Sequence, residues 1–306
     1  MKIAFLFSGQ GAQKPGMAQS LYRDTQAAHD IFDLMSEAMD VDLARLCFDS
    51  DQDTLNQTEN TQPAMLAADL AAMAALAEKG VKPAFCAGFS LGEYAALACC
   101  GAQDAAGAAK LVAARAACMA KCQGGVMAAI LGMDAARLEE ICAGISAGYI
   151  APVNYNCPGQ TVVAGDQQGL DALKEALQGE KARVTPLKVS GAFHSRLMIP
   201  AGREFRPTLD AATFKTAEIP IVCNATAEPF DDSEQSWPDM LERQLCSPVR
   251  WEQSVHRLVA LGAEAFIECG PGRVLAKLNK RICPDIPTYA VEDTATLEDA
   301  VRALAL

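Results

Sequence analysis

Histidine, clustered metal ligands and long apolar runs are what this sequence lacks. Only three of its 306 residues are histidine and its twelve cysteines form no C-x-x-C pair. A structural zinc site therefore has too few ligands at a workable spacing, and none is expected. No stretch keeps about 18 apolar residues free of charge, because the Ala-rich run after Pro63 contains Asp69 and ends at Glu78-Lys79. A membrane-spanning helix is thereby excluded, and the expectation is a soluble chain with no membrane role. Lysine and arginine never gather into a sustained run, and the net charge is -12. General affinity for nucleic acid is excluded on that ground. The opening apolar stretch is too short for a secretion signal and meets Ser8, Gly9 and Gln10, so it reads as a first buried strand. With no such signal, and with cysteines sitting mostly in apolar segments, the thiols are expected to be reduced core residues of a cytoplasmic protein.

What is present is apolar material in plenty. Hydrophobic residues make up 51% of the chain, enough for one large core or a core with a smaller lobe attached. Early in the chain, strand-like runs alternate with helical periods. A strand over 3–7 is followed by a helix over 18–39, an Ala-rich helix over 63–79, a strand over 84–89 and a helix over 91–100. This order favours a parallel sheet covered by helices. Gly80 and Gly101 stand where helices should stop. From Gly124 the pattern changes to a strand over 126–131, a helix over 134–143, strands near 150–154 and 161–164, a helix over 168–177 and a strand over 184–189. That βαββαβ order predicts a ferredoxin-like lobe. After His194 mixed helix and strand return, with strands over 220–224 and 265–269. The fold class is therefore α/β, with residues 1–123 plus 195–306 as a discontinuous core and 124–194 as the inserted lobe.

Chemistry enters at Gly88-Phe89-Ser90-Leu91-Gly92, a G-x-S-x-G sequence between a strand and a helix. Glycines on both sides let the chain turn tightly, so Ser90 projects from the turn near the positive end of the following helix. The backbone N–H of Leu91 is then placed to meet a developing oxyanion. A serine nucleophile needs a base, and the three histidines are not equal candidates. His29 and His256 lie in helical stretches, at the surface or edge, whereas His194 follows a strand and the flexible Ser190-Gly191 pair. His194 is accordingly the candidate general base, and general acid toward a leaving thiolate.

Several segments, in order and at sensible spacing over essentially the whole chain, resemble the malonyl-CoA:acyl carrier protein transacylase family. They are Ser8-Gly9-Gln10-Gly11-Ala12-Gln13, Thr61-Gln62-Pro63-Ala64, Gly88 to Tyr94, Asn154-Tyr155-Asn156-Cys157-Pro158-Gly159-Gln160, Gly191-Ala192-Phe193-His194 and Gly270-Pro271-Gly272. The resemblance implies an α/β-hydrolase-like core bearing a ferredoxin-like lobe, and a Ser-His dyad that needs no cofactor. It implies that the backbone N–H of Gln10 joins that of Leu91 in an oxyanion hole. It also implies that a backbone carbonyl orients His194 in place of an aspartate, with the matching position at Arg250. Phe89 departs from the pattern, since many members carry histidine there; that side chain is not the base, so the change bears on packing at the elbow.

Arg115 offers an independent clue to the acyl group. On a helix over 110–121, Lys110 and Lys121 share nearly one line, while Arg115 falls among Leu111, Val112, Cys118 and Met119. An arginine on an apolar stripe either pairs with an internal carboxylate, snorkels to the edge, or binds the free carboxylate of a ligand; the resemblance implies the last, a clamp for malonyl. The bulky Phe193 before His194 resembles the form found in malonyl-selecting relatives and would crowd an α-methyl branch. Gln62, Asn154 and Asn156 are further candidates for polar contacts to substrate. The partners implied are malonyl-CoA and acyl carrier protein, in fatty-acid synthesis or through a trans-acting polyketide acyltransferase, with the chain acting as a monomer. A serine thioesterase on the same elbow is the competing class. An acidic carrier would need a basic surface, for which Lys181, Arg183, Lys188, Arg196, Arg203 and Arg206 are candidates.

Overall fold

A computed structural model describes residues 1–189 and 191–304. Its nine strands are β1 (Ile3–Phe7), β2 (Phe85–Gly88), β3 (Val126–Leu131), β4 (Ile150–Cys157), β5 (Gln160–Gly165), β6 (Arg183–Pro186), β7 (Ile221–Val222), β8 (Ala265–Cys269) and β9 (Thr288–Val291). Five of them form one sheet in the order β7-β2-β1-β8-β9, with every pairing parallel. A parallel sheet is covered on both faces, which is why β1 and β8 are buried along their whole length. Within β1 the alternation still sorts the side chains. Ile3, Phe5 and Phe7 pack with the Ala-rich helix Thr58–Glu78 on one face. Ala4 and Leu6 pack toward Trp251, Leu275 and Leu278 on the other.

The remaining four strands make a separate antiparallel sheet in the order β4-β5-β3-β6, the ferredoxin-like arrangement expected from the pattern. Helices Ala135–Ala143 and Gln167–Ala176 cover one face around Ile130, Leu138, Val163 and Leu173. The other face looks into a cleft. The small sheet is tied to the core where Val249, just before helix Trp251–Ala260, donates its N–H to the Val153 carbonyl at 2.8 Å and accepts from the Tyr155 N–H at 2.9 Å.

Some elements differ from the expected pattern. The helix expected over 18–39 is two, Gln19–Asp24 and Gln26–Met39, because Thr25 takes an extended conformation and turns its hydroxyl back to the Leu21 carbonyl. Pro63 lies inside Thr58–Glu78 instead of opening it; the only ladder bond it removes is the one to the carbonyl of exposed Glu59. The strand expected over 220–224 is only the pair of residues in β7, and edge strand β9 was not expected at all. Gly80 and Gly101 do stop their helices, at φ +80° and +76°. Ser190 lies outside the described residues. Among the described residues no helix is long and apolar enough to cross a membrane, and no three metal-ligating side chains gather.

Candidate active site

The cleft opens beyond the carboxyl ends of β1 and β2, the usual place for a site in a parallel sheet. It has a volume of about 320 Å³ and is bounded by Ser90, His194 and Arg115 on the core side and by Met127, Ala129 and Val162 on the small sheet. Ser90 sits between β2 and helix Gly92–Cys99 at φ +54°, a left-handed conformation that costs a residue with a Cβ about 1 kcal/mol or more. Its flanking glycines are required by contact: a Cβ on Gly88 would stand 1.9 Å from the Gly92 carbonyl carbon, and one on Gly92 would stand 2.2 Å from the Phe7 oxygen. The turn is held from outside. Asn224 accepts from the Ser90 N–H at 2.7 Å and donates to the Gly88 carbonyl at 2.5 Å. Gln244 donates to the Ser90 carbonyl at 2.7 Å. Two side chains thus bond the strained peptide groups on either side of the serine.

His194, 4% exposed, brings Nε2 to 2.7 Å from Ser90 Oγ. Its Nδ1 donates to the Gln244 carbonyl at 3.1 Å, which leaves Nε2 unprotonated and ready to accept the serine proton. The orienting carbonyl is therefore that of Gln244 and not that of Arg250. The Arg250 carbonyl is occupied by the N–H and hydroxyl of Ser254, as expected at the start of helix Trp251–Ala260. Gln244 lies instead in the last turn of helix Trp237–Cys246, where carbonyls lack partners within the helix. Burial, then the nearby Arg115 charge, pushes His194 down to about 4, with the Gln244 and Ser247 backbone bonds opposing. The imidazole is neutral at ordinary pH. His29 stacks on Tyr22 with ring centroids 4.5 Å apart, and His256 is exposed in helix Trp251–Ala260.

Arg115 lies on helix Ala105–Lys121, 1% exposed. Its Nη1 donates to Gln62 Oε1 at 2.6 Å; Nη2 donates to Ser90 Oγ at 3.1 Å and to Gln244 Oε1 at 3.3 Å; Nε has no partner. Every hydrogen-bond partner of the guanidinium among the described residues is thus a neutral oxygen. Burial lowers its pKa, opposed by Tyr94 and Glu93. The ring of Tyr94 lies 5.4 Å away. Such a buried cation is poised to receive a carboxylate beside the serine. Gln62 is wholly buried and absent from the cleft wall; it grips Arg115 instead of facing a ligand. Asn154, Asn156 and Phe193 do line the cleft, and both asparagine Oδ1 atoms are buried and unpartnered. Gln10 and Leu91 line it too, and neither backbone N–H has an acceptor in the chain among the described residues.

Sequence reasoning missed Gln244 and Asn224. The signal for Gln244 was present, since it is the polar member of an apolar helical stripe with Trp237, Met240, Leu241 and Leu245. Asn224 follows β7 with no pattern of its own. Of the six basic residues, Arg206 and Arg196 are engaged within the chain. Arg206 is bound to Asp210, Asp239 and Glu242, and Arg196 lies over the Tyr149 ring at 3.9 Å.

The acyl transferase domain family matches residues 4–297. Malonyl CoA-acyl carrier protein transacylase of Bacillus subtilis (strain 168) is 40% identical over 309 residues, spanning 99% of this chain and 97% of its own. The chain belongs to the malonyl-CoA:acyl carrier protein transacylase family. The transacylase of Staphylococcus aureus (strain MRSA252) is likewise 40% identical, over 97% of both chains. Among solved structures, the transacylase of Clostridium perfringens superposes with a TM-score of 0.96 at 32% identity, covering 100% of this chain and 98% of that one. A malonyl-transacylase in complex with a type II PKS acyl-carrier protein gives 0.94 at 35% identity, covering 99% and 100%. This transacylase family member is thus an acyltransferase, and its cleft holds the serine and histidine with which acyl transfer through an ester can proceed.

Proposed function

We propose that the chain transfers malonyl from malonyl-CoA to the phosphopantetheine thiol of acyl carrier protein through a malonyl ester on Ser90, supplying extender units for fatty-acid synthesis. The observation that carries this reading is the buried Arg115 guanidinium 3.1 Å from the nucleophilic Oγ, which is itself 2.7 Å from His194 Nε2. Ser90 Oγ attacks the thioester carbonyl as its proton passes to Nε2. The resulting oxyanion is met by the N–H groups of Gln10 and Leu91. His194 then gives the proton to the departing CoA sulfur as the C–S bond breaks. The carrier thiol repeats the sequence in reverse on the ester.

Arg115 binds the free carboxylate, and in doing so its charge is offset. Since that charge is the second cause of the low His194 basicity, a bound malonyl carboxylate strengthens the base that its own transfer needs. Phe193 limits the space for an α-branch, a discrimination usually worth about 1–3 kcal/mol. We take residues 1–123 plus 195–306 as the catalytic core and 124–194 as the lobe that closes the cleft, which the two separate sheets support. Twelve free cysteines fit a reducing compartment such as the cytoplasm, and we take the chain to act as a monomer. Intact-mass analysis after mixing with malonyl-CoA tests the reading. A malonyl increment on Ser90 that persists in buffer and leaves on addition of holo carrier protein is expected. Rapid hydrolytic loss would instead favour a thioesterase, and no increment would end the proposal.

A further inference from the structure

Glu93 has no part in the steps above, yet it is wholly buried one turn from the nucleophile. Its Oε1 accepts from the Asn224 N–H at 3.3 Å and its Oε2 from Gln244 Nε2 at 2.9 Å. The other end of the same amide, Gln244 Oε1, accepts from Arg115 Nη2 at 3.3 Å. One side-chain amide therefore bridges a buried carboxylate and a buried guanidinium. The titratable groups facing Glu93 are Arg115 from helix Ala105–Lys121, the Cys223 thiol after β7, and Tyr94 beside it on its own helix. Arg115 is the one cation in that set, and the pair is neutral as it stands.

We infer that Glu93 takes up a proton from solvent when a malonyl group is seated on Ser90, keeping the buried cluster neutral through the Gln244 bridge to Arg115. The inference rests on the malonyl reading. A malonyl carboxylate on Arg115 places a second anion against a single buried cation, and excess charge in a poorly solvated site is costly. The cheapest relief is protonation of the carboxylate farther from the guanidinium. Burial has already pushed Glu93 up to about 7, against hydrogen bonds and Arg115 that favour its charge. Neutralising Arg115 and adding a like charge both raise it further. Acetyl, with no carboxylate, brings no such demand.

The experiment is proton uptake in weak buffer at about pH 7.5, read with an indicator dye during loading by malonyl-CoA and, at matched loading by intact mass, by acetyl-CoA. Thioester exchange and release of the CoA thiol are common to both and cancel. At that pH an excess on the order of half a proton per malonyl group is expected; nearer pH 5 the part that Glu93 carries shrinks, because Glu93 already holds its proton, and uptake by His194 takes its place. In Glu93→Gln the excess at pH 7.5 should vanish. Equal uptake with both acyl groups at pH 7.5 overturns the inference, as does an excess at that pH that survives in Glu93→Gln. Should Glu93→Gln not fold, the wild-type acyl difference at that pH decides alone. Absence of any malonyl adduct would instead mark failure of the functional reading.

Discussion

Gln244 holds four groups at once: its side chain serves the Ser90 carbonyl, Glu93 and Arg115, and its backbone carbonyl serves His194. Gln244→Ala removes the first three and keeps the fourth. Bonds to buried charged groups are worth about 1.5–3 kcal/mol each, so malonyl loading should fall roughly 10- to 100-fold in kcat/KM. Arg250→Ala, whose carbonyl merely accepts within its own helix, should stay within a few-fold. Single-turnover loading rates of the two variants compare these directly, and equal losses would mean that the Gln244 amide does not hold the site. A second consequence concerns pH. Because Arg115 helps to hold His194 down to about 4, its removal raises the histidine toward its ordinary value. The acid limb of acetyl loading by Arg115→Ala should therefore move to higher pH than in the wild type. An unmoved limb in the pH–rate profile would mean that burial alone sets the base.

Elements were legible in proportion to how far local pattern dictated them. β3 and β8 fall on the expected residues, since each is an apolar run bounded by turn signals. The elbow was legible because G-x-S-x-G between a strand and a helix is a local pattern, although the contact that requires Gly92 comes from distant Phe7. Its supports were not, because Asn224 and Gln244 reach Ser90 across 134 and 154 residues of chain. Short edge strand β9 depends on pairing with β8 and carries little pattern of its own. The elbow's contact argument makes a stability prediction. Gly88→Ala drives a Cβ into the backbone of Gly92 and should cost more than about 3 kcal/mol, seen as loss of folded protein or a large drop in Tm. Gly144→Ala, at a helix end with φ -78° and its nearest neighbour 3.5 Å away, should change stability by less than about 1 kcal/mol. Similar losses in both would remove the steric account of the turn.

At the scale of the molecule, the large sheet buries carboxyl groups that are ordinary on paper. Glu268 on β8 accepts from the Leu275 and Ala276 N–H groups at 3.0 and 2.8 Å, and burial still pushes it up to about 7. A carboxyl group raised on folding favours the folded state fully below its unfolded value near 4.5 and loses that advantage as pH rises through about 7. Relative to Glu268→Gln, the wild type should therefore lose Tm between pH 5 and pH 8; a constant difference between the two would show that Glu268 does not titrate in that window. On the proposed reading, the same burial that shifts such groups also makes the cleft a place where the Arg115 charge decides which acyl group enters. The most direct test of that claim is kcat/KM for Ser90 loading by malonyl-CoA and by acetyl-CoA, in the wild type and in Arg115→Ala. The account predicts that the malonyl-to-acetyl ratio falls by about 100-fold, as expected for losing a buried charge-assisted carboxylate clamp, with acetyl loading preserved or improved. Equal losses on both substrates would contradict it.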